Sequence, residues 1–210
     1  MNSPVLNGMV AFLAFSVAVS AYAAGDPAKG KTTYEVCAVC HGASGEGTPE
    51  LNVPKIGGQE EWYVARQLQN FKTGLRAPNT SDLYGTQMRA LSMTLADDQE
   101  IADVSAYVAS LSPAAVVADT VSGDAAQGKA SYALCVACHG ANGEGNQALN
   151  SPKLAGQHDW YTVRQLQNYK SGVRGGDPKN LFDTQMRPMA LVLTTDAAVN
   201  NVVAYINSLD

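Results

Sequence analysis

The chain repeats itself without a gap at an offset of 98 residues, so whatever one half folds into, the other must fold into as well. Cys37-Ala38-Val39-Cys40-His41 is answered by Cys135-Val136-Ala137-Cys138-His139, Gly45-Glu46-Gly47 by Gly143-Glu144-Gly145, and Pro54-Lys55 by Pro152-Lys153. Trp62-Tyr63 returns as Trp160-Tyr161, Arg66-Gln67-Leu68-Gln69-Asn70 as Arg164-Gln165-Leu166-Gln167-Asn168, and Gln87-Met88-Arg89 as Gln185-Met186-Arg187. A unit just under 100 residues long, met twice, makes two small domains rather than one large one.

The two Cys-x-x-Cys-His pentapeptides use all four cysteines of the chain. A dithiol redox pair or a four-cysteine zinc site would leave His41 and His139 without a role, and zinc knuckles come together from short spacings rather than from opposite halves of a long chain. Two thiols so placed reach the two vinyl groups of one porphyrin, while the adjacent imidazole meets the iron. The pattern therefore predicts two covalently bound haem c groups, one on Cys37 and Cys40, the other on Cys135 and Cys138, with His41 and His139 as proximal ligands. No thiol is left for a disulfide, so stability has to come from helix packing and from the haems.

Each low-spin iron needs a sixth ligand, and the chain holds only three histidines. His158 falls where the first copy has Glu60, so histidine cannot complete both sites, and His158 reads as a solvated residue at a helix start. Methionine thioether is the other usual axial partner. Met1 and Met9 belong to the leader, and of Met88, Met93, Met186 and Met189 only Met88 and Met186 obey the 98-residue offset. These two are the expected sixth ligands, with Met93 and Met189 read as core fillers.

Residues 9–24 are apolar and end in Ala21-Tyr22-Ala23-Ala24, which matches the hydrophobic region and small-residue cleavage site of a secretory signal. Residues 1–24 are thus expected to be a signal peptide or an uncleaved anchor, although no Lys or Arg precedes the apolar stretch. Export to the periplasm agrees with haem attachment after translocation. The formal charge of −5 argues against nucleic acid and steers the chain toward basic patches on its partners. Arg66, Lys72, Arg76 and their mates read as a solvated helix face or as partners for haem propionates.

The pattern is all-α. Asp26-Pro27 marks a helix start that should run through Tyr34 into the first haem motif, and Asp124 starts its counterpart. Residues 62–71 and 160–169 carry apolar and aromatic side chains at helical spacing. The last helix of each unit, 97–111 and 196–209, presents Ile101, Val104 and Val108, and Val199, Val203 and Ile206, on one face. The units are placed at 25–112 and 124–210, joined by a short linker at 113–123 whose apolar composition suits a segment lying against protein.

With these features the chain resembles the dihaem cytochrome c4 family: two tandem class I cytochrome c domains, each with its Cys-x-x-Cys-His near the start and a methionine before the last helix. Gly30 and Tyr34 against Tyr107, and Gly128 and Tyr132 against Tyr205, match that family's close helix crossing. The resemblance implies that Pro54 and Pro152 offer their carbonyls to the proximal imidazoles, fixing the tautomer. It also implies a periplasmic one-electron carrier rather than an enzyme, between a quinol-oxidising cytochrome bc complex and a haem-copper terminal oxidase, with association with membrane complexes. A similar dihaem subunit of a flavocytochrome sulfide dehydrogenase is the alternative, and a catalytic dihaem enzyme a more distant one.

Overall fold

A computed structural model describes residues 24–78, 81–116 and 120–209, so the expected leader at 1–24 falls almost wholly outside the described residues. The described residues are helical, and strand pairing among them is limited to two isolated antiparallel bridges, Thr48 with Val53 and Asn146 with Ser151. The first half contains α1 (Pro27–His41), α2 (Glu61–Thr73), α3 (Leu83–Ser92) and α4 (Asp98–Ser110). The second contains α5 (Ala125–Tyr132), α6 (Val136–His139), α7 (Asp159–Ser171), α8 (Leu181–Leu191) and α9 (Asp196–Asn207).

Local chemistry sets these boundaries. Asp26 accepts from the amides of Ala28 and Lys29 at 2.9 and 3.4 Å, with Pro27 at the first helical position, so α1 starts where the sequence placed it. It runs unbroken to His41 and stops at Gly42, whose φ is 82°. The second copy differs. After Tyr132 the bonds tighten to a three-residue span, Leu134 N to Ser131 O and Cys135 N to Tyr132 O, and the helix restarts as α6.

In each half the first and last helices cross at a glycine. A Cβ on Gly30 would lie 1.9 Å from Asp103 O, and one on Gly128 would lie 1.9 Å from Asn201 O, so no larger residue fits without moving a backbone. The crossing brings Tyr34 to 5.2 Å from Tyr107 and Tyr132 to 5.3 Å from Tyr205, ring centre to ring centre. Buried apolar side chains are few in the first half, where Tyr34, Leu95, Ile101, Val104 and Val108 form the cluster. The second half adds Leu166, Tyr169, Ala190 and further valines around Tyr132. Domains this thinly cored depend on a bound group for the rest of their interior.

The linker lies against protein at both described ends. Pro113 packs on Gly57, where an added Cβ would meet its ring at 2.9 Å. Thr120 and Val121 donate backbone amides to Asp159, both at 2.9 Å, and the Thr120 hydroxyl joins them at 2.6 Å. Among the described residues no single helix is long and apolar enough to cross a membrane.

Candidate haem sites and the seam between them

Each proximal histidine ends its helix buried, His41 at 4% exposure and His139 at 7%. The loop that follows folds back to hold the ring: His41 Nδ1 donates to Pro54 O at 2.9 Å and His139 Nδ1 to Pro152 O at 2.8 Å. Glycine makes this approach feasible. Gly47 has φ 86°, and a Cβ there would come within 2.7 Å of the Pro54 carbonyl carbon and the Lys55 amide. With Nδ1 engaged, Nε2 is the nitrogen left for a metal. Burial pulls both imidazoles below their ordinary value against the pull of the proline carbonyls, so each ring is in the neutral form that ligates metal.

His41, Met88, Cys37 and Cys40 line the same cavity as His139, Met186, Cys135 and Cys138, a continuous space of about 400 Å³ shared by both halves. The four cysteines carry no disulfide, and burial pushes the Cys37 thiol up and Cys135 up to about 11. Met88 sits on α3 and Met186 on α8, both half-buried. Met93 and Met189, read from sequence as core fillers, are 60% and 40% exposed: Met93 caps the end of α3, and Met189, within the last turn of α8, also lines the cavity.

The seam between the halves is built by contacts that each half returns to the other. Arg66 reaches Asn150 through its side-chain oxygen at 3.1 Å and its carbonyl at 3.0 Å, and Arg164 reaches Asn52 in the same way at 3.3 and 2.9 Å. Gln59 Nε2 donates to Lys153 O while Gln157 Nε2 donates to Lys55 O, at 3.2 and 2.8 Å. Arg66 stacks over the Phe182 ring and Arg164 over Tyr84. Deeper in, Arg76 donates to Tyr161 and Gln165, both at 3.1 Å, and Arg174 to Tyr63 and Gln67, both at 3.3 Å.

These arginines correct the solvated-face expectation: Arg76 and Arg174 are each 6% exposed. Lys72 instead ties off the chain beyond α3, donating to the carbonyls of Leu95 and Ala96. His158 does begin its helix, but it is buried rather than solvated, bonded through Nε2 to Glu46 O at 3.0 Å and stacked on Trp160. The signal that could have found the arginines is the repeat itself, because a polar set kept in both copies is what two halves facing each other would share.

The lining fits haem. It combines paired thiols, a buried neutral imidazole and a thioether with apolar walls, and it leaves buried donors without an acceptor, namely Gln67 Nε2, Arg66 Nε and Arg76 Nε. Unpaired buried donors are costly, and anionic carboxylates such as haem propionates would satisfy them.

Comparison with known proteins agrees. The family model described as cytochrome c matches residues 27–112 and again 125–210. Cytochrome c4 of Azotobacter vinelandii is 34% identical over 87% of this chain and 90% of its own. The thiosulfate dehydrogenase electron acceptor of Thiomonas intermedia is 32% identical over 70% of this chain and 69% of its own. The crystal structure of reduced recombinant cytochrome c4 from Pseudomonas stutzeri superposes with a TM-score of 0.71 at 31% identity, covering 89% of this chain and 100% of that one.

Proposed function

This chain belongs to the cytochrome c family, as a tandem dihaem electron-transfer protein of the c4 type with two covalently bound haem c groups, and from that membership we propose that it works in the periplasm between a quinol-oxidising cytochrome bc complex and a haem-copper terminal oxidase. When bound, each haem supplies a one-electron couple whose potential methionine ligation places toward the high end. The chain's own residues do the rest. Cys37 with Cys40 and Cys135 with Cys138 would anchor the two groups; His41 with Met88 and His139 with Met186 would ligate the two irons; Pro54 and Pro152 hold the imidazoles in one tautomer.

The observation that carries this reading is the single cavity, lined by both complete sets of candidate ligands. It sets both sites against one seam of reciprocal hydrogen bonds. With a histidine and a methionine to hold each iron, no position would be left for substrate, which favours carriage over catalysis. The test is the visible and near-infrared spectrum of the holoprotein, oxidised, then reduced under carbon monoxide. A methionine charge-transfer band from both sites, with no response to carbon monoxide, is the expected result; a site that takes carbon monoxide would overturn it. Reduction by the bc complex should slow as salt rises, because the formal charge of −5 steers docking.

A second reading, as acceptor of electrons from a thiosulfate-oxidising enzyme, is favoured by the likeness to the Thiomonas intermedia protein. Stopped-flow reduction by a purified thiosulfate dehydrogenase, faster than by the bc complex, would establish it.

A further inference from the structure

Laid over one another at the 98-residue offset, the two halves place their buried acid differently. One turn before the candidate ligand methionine, α3 has Gly85 and α8 has Asp183. At the start of the same helix the order is reversed, with Asp82 capping α3 and Asn180 capping α8. The two acids cannot share the space unchanged: a Cβ on Gly85 would lie 2.2 Å from Asp82 Oδ2, so Asp at 85 requires the Asp82 carboxylate to turn aside.

The move changes what the acid bonds. Asp82 Oδ1 accepts from the Gly85 amide at 2.9 Å and stays at the helix end. Asp183, 4% exposed, takes Arg174 on both oxygens at 3.1 Å, together with the Tyr169 hydroxyl and Asn180, each at 2.9 Å. This is the one ion pair among the described residues. In the first half Tyr169 is replaced by Phe71, and Arg76 meets only neutral acceptors, Gln67, Tyr161 and Gln165. Arg76, Arg174 and Asp183 all line the shared cavity. Among the described residues one buried guanidinium, Arg174, is therefore paired directly with a carboxylate, and its mate Arg76 is hydrogen-bonded to neutral groups.

We propose that Asp183 is a potential-setting residue of the second haem site, holding that site's reduction potential down through the charge it places beside Arg174, a carboxylate–guanidinium pair that the first half does not reproduce. The inference rests on the dihaem reading and on Met186 as a ligand. An added negative charge in a site of low dielectric favours the oxidised, more positive state. Asp82 lines the same cavity in the first half, but its carboxylate bonds the Gly85 amide at the helix start rather than a guanidinium.

The test is a spectroelectrochemical titration of the holoprotein. Met186→His identifies the second site, because replacing thioether by imidazole lowers that potential alone; if it moves neither, the ligand reading fails, and separately from this one. Asp183→Asn should then shift electron sharing toward the second site about tenfold, which is about 59 mV for a one-electron couple. Arg174→Gln with Asp183→Asn, removing both charges, should cancel most of that shift. Because Asp183→Asn strands a buried arginine and can impair folding, the reverse graft Phe71→Tyr, Asp82→Asn, Gly85→Asp in the first half provides an independent reading: the first potential should fall. Thermal unfolding followed by circular dichroism monitors the fold throughout. An Asp183→Asn protein whose two potentials stay put or move together, or a double variant that keeps the full shift, sinks the proposal.

Discussion

The two halves of this molecule agree where a haem must be held and in the reciprocal contacts of the seam, and differ in the charged and polar groups around the helices that carry the methionines. Cysteine pair, histidine, proline carbonyl, glycine crossing and methionine recur at one offset, with the imidazole–proline bond at 2.9 Å in one copy and 2.8 Å in the other. Among the differences, four bear on the charge around the two sites: Gly85 against Asp183, Asp82 against Asn180, Phe71 against Tyr169 and Glu60 against His158. All but the last lie on or beside the helices that bring the methionines in, and the last crosses the seam: Glu60 accepts from the Lys153 amide at 3.0 Å, whereas His158 bonds the Glu46 carbonyl. Duplication fixed the chemistry of attachment, and divergence was tolerated in the electrostatic surroundings.

The largest test of this comparison removes one haem at a time. Cys37→Ser with Cys40→Ser, or Cys135→Ser with Cys138→Ser, should each lower the intact mass by one haem. The first-half variant should lose more helix by circular dichroism, because its buried apolar cluster is the smaller. Equal losses would show that core size does not decide.

Next in size, Asp183→Ala should destabilise the second half by about 3–5 kcal/mol in denaturant unfolding, since it strands a buried arginine. Asp82→Ala removes a helix cap and should cost about 1 kcal/mol. The pH dependence follows the same asymmetry. Burial works against ionisation of Asp183, yet Arg174 prevails and its carboxyl lies below the usual range. A depressed carboxyl stabilises above its unfolded value of about 3.9 and loses that contribution as pH falls through the folded one. Acid should therefore weaken the second half of the native chain below about pH 4, and Asp183→Ala should blunt that effect.

The smallest expected effect is Tyr169→Phe, which deletes one hydroxyl donor to Asp183 and makes the second half resemble the first. It should cost about 1.5 kcal/mol by the same unfolding measurement. A change within error would mean that Arg174 and Asn180 alone satisfy the carboxylate.

Much of the site was legible in the sequence because its signals are local or repeat at a fixed offset. Cys-x-x-Cys-His lies on one helix end, Asp-Pro starts α1, and the two methionines stand out by register alone. The seam was less legible. On α2, Arg66 occupies a helix position that in a single domain would face water, and only the second copy covers it. No periodicity within one unit records burial by another, which is why Arg76, Arg174 and His158 were read as solvated or left unassigned. The break between α5 and α6 was also missed, since it comes from three-residue hydrogen bonds at Leu134 and Cys135 rather than from a helix-breaking residue.

The contacts that Arg66 and Arg164 make on Asn150 and Asn52 are those of an isologous interface, in which residue i meets j and j meets i. Such an interface has point symmetry of order two and closes on itself. A third unit could not be added by repeating the same contact, as a solenoid adds repeats, because the patch it would need is already covered. Two identical subunits joined this way would also be bound to carry two copies of Asp183 or none. Covalent linkage lifts that restriction, so the symmetric pair can hold its acid on one side only.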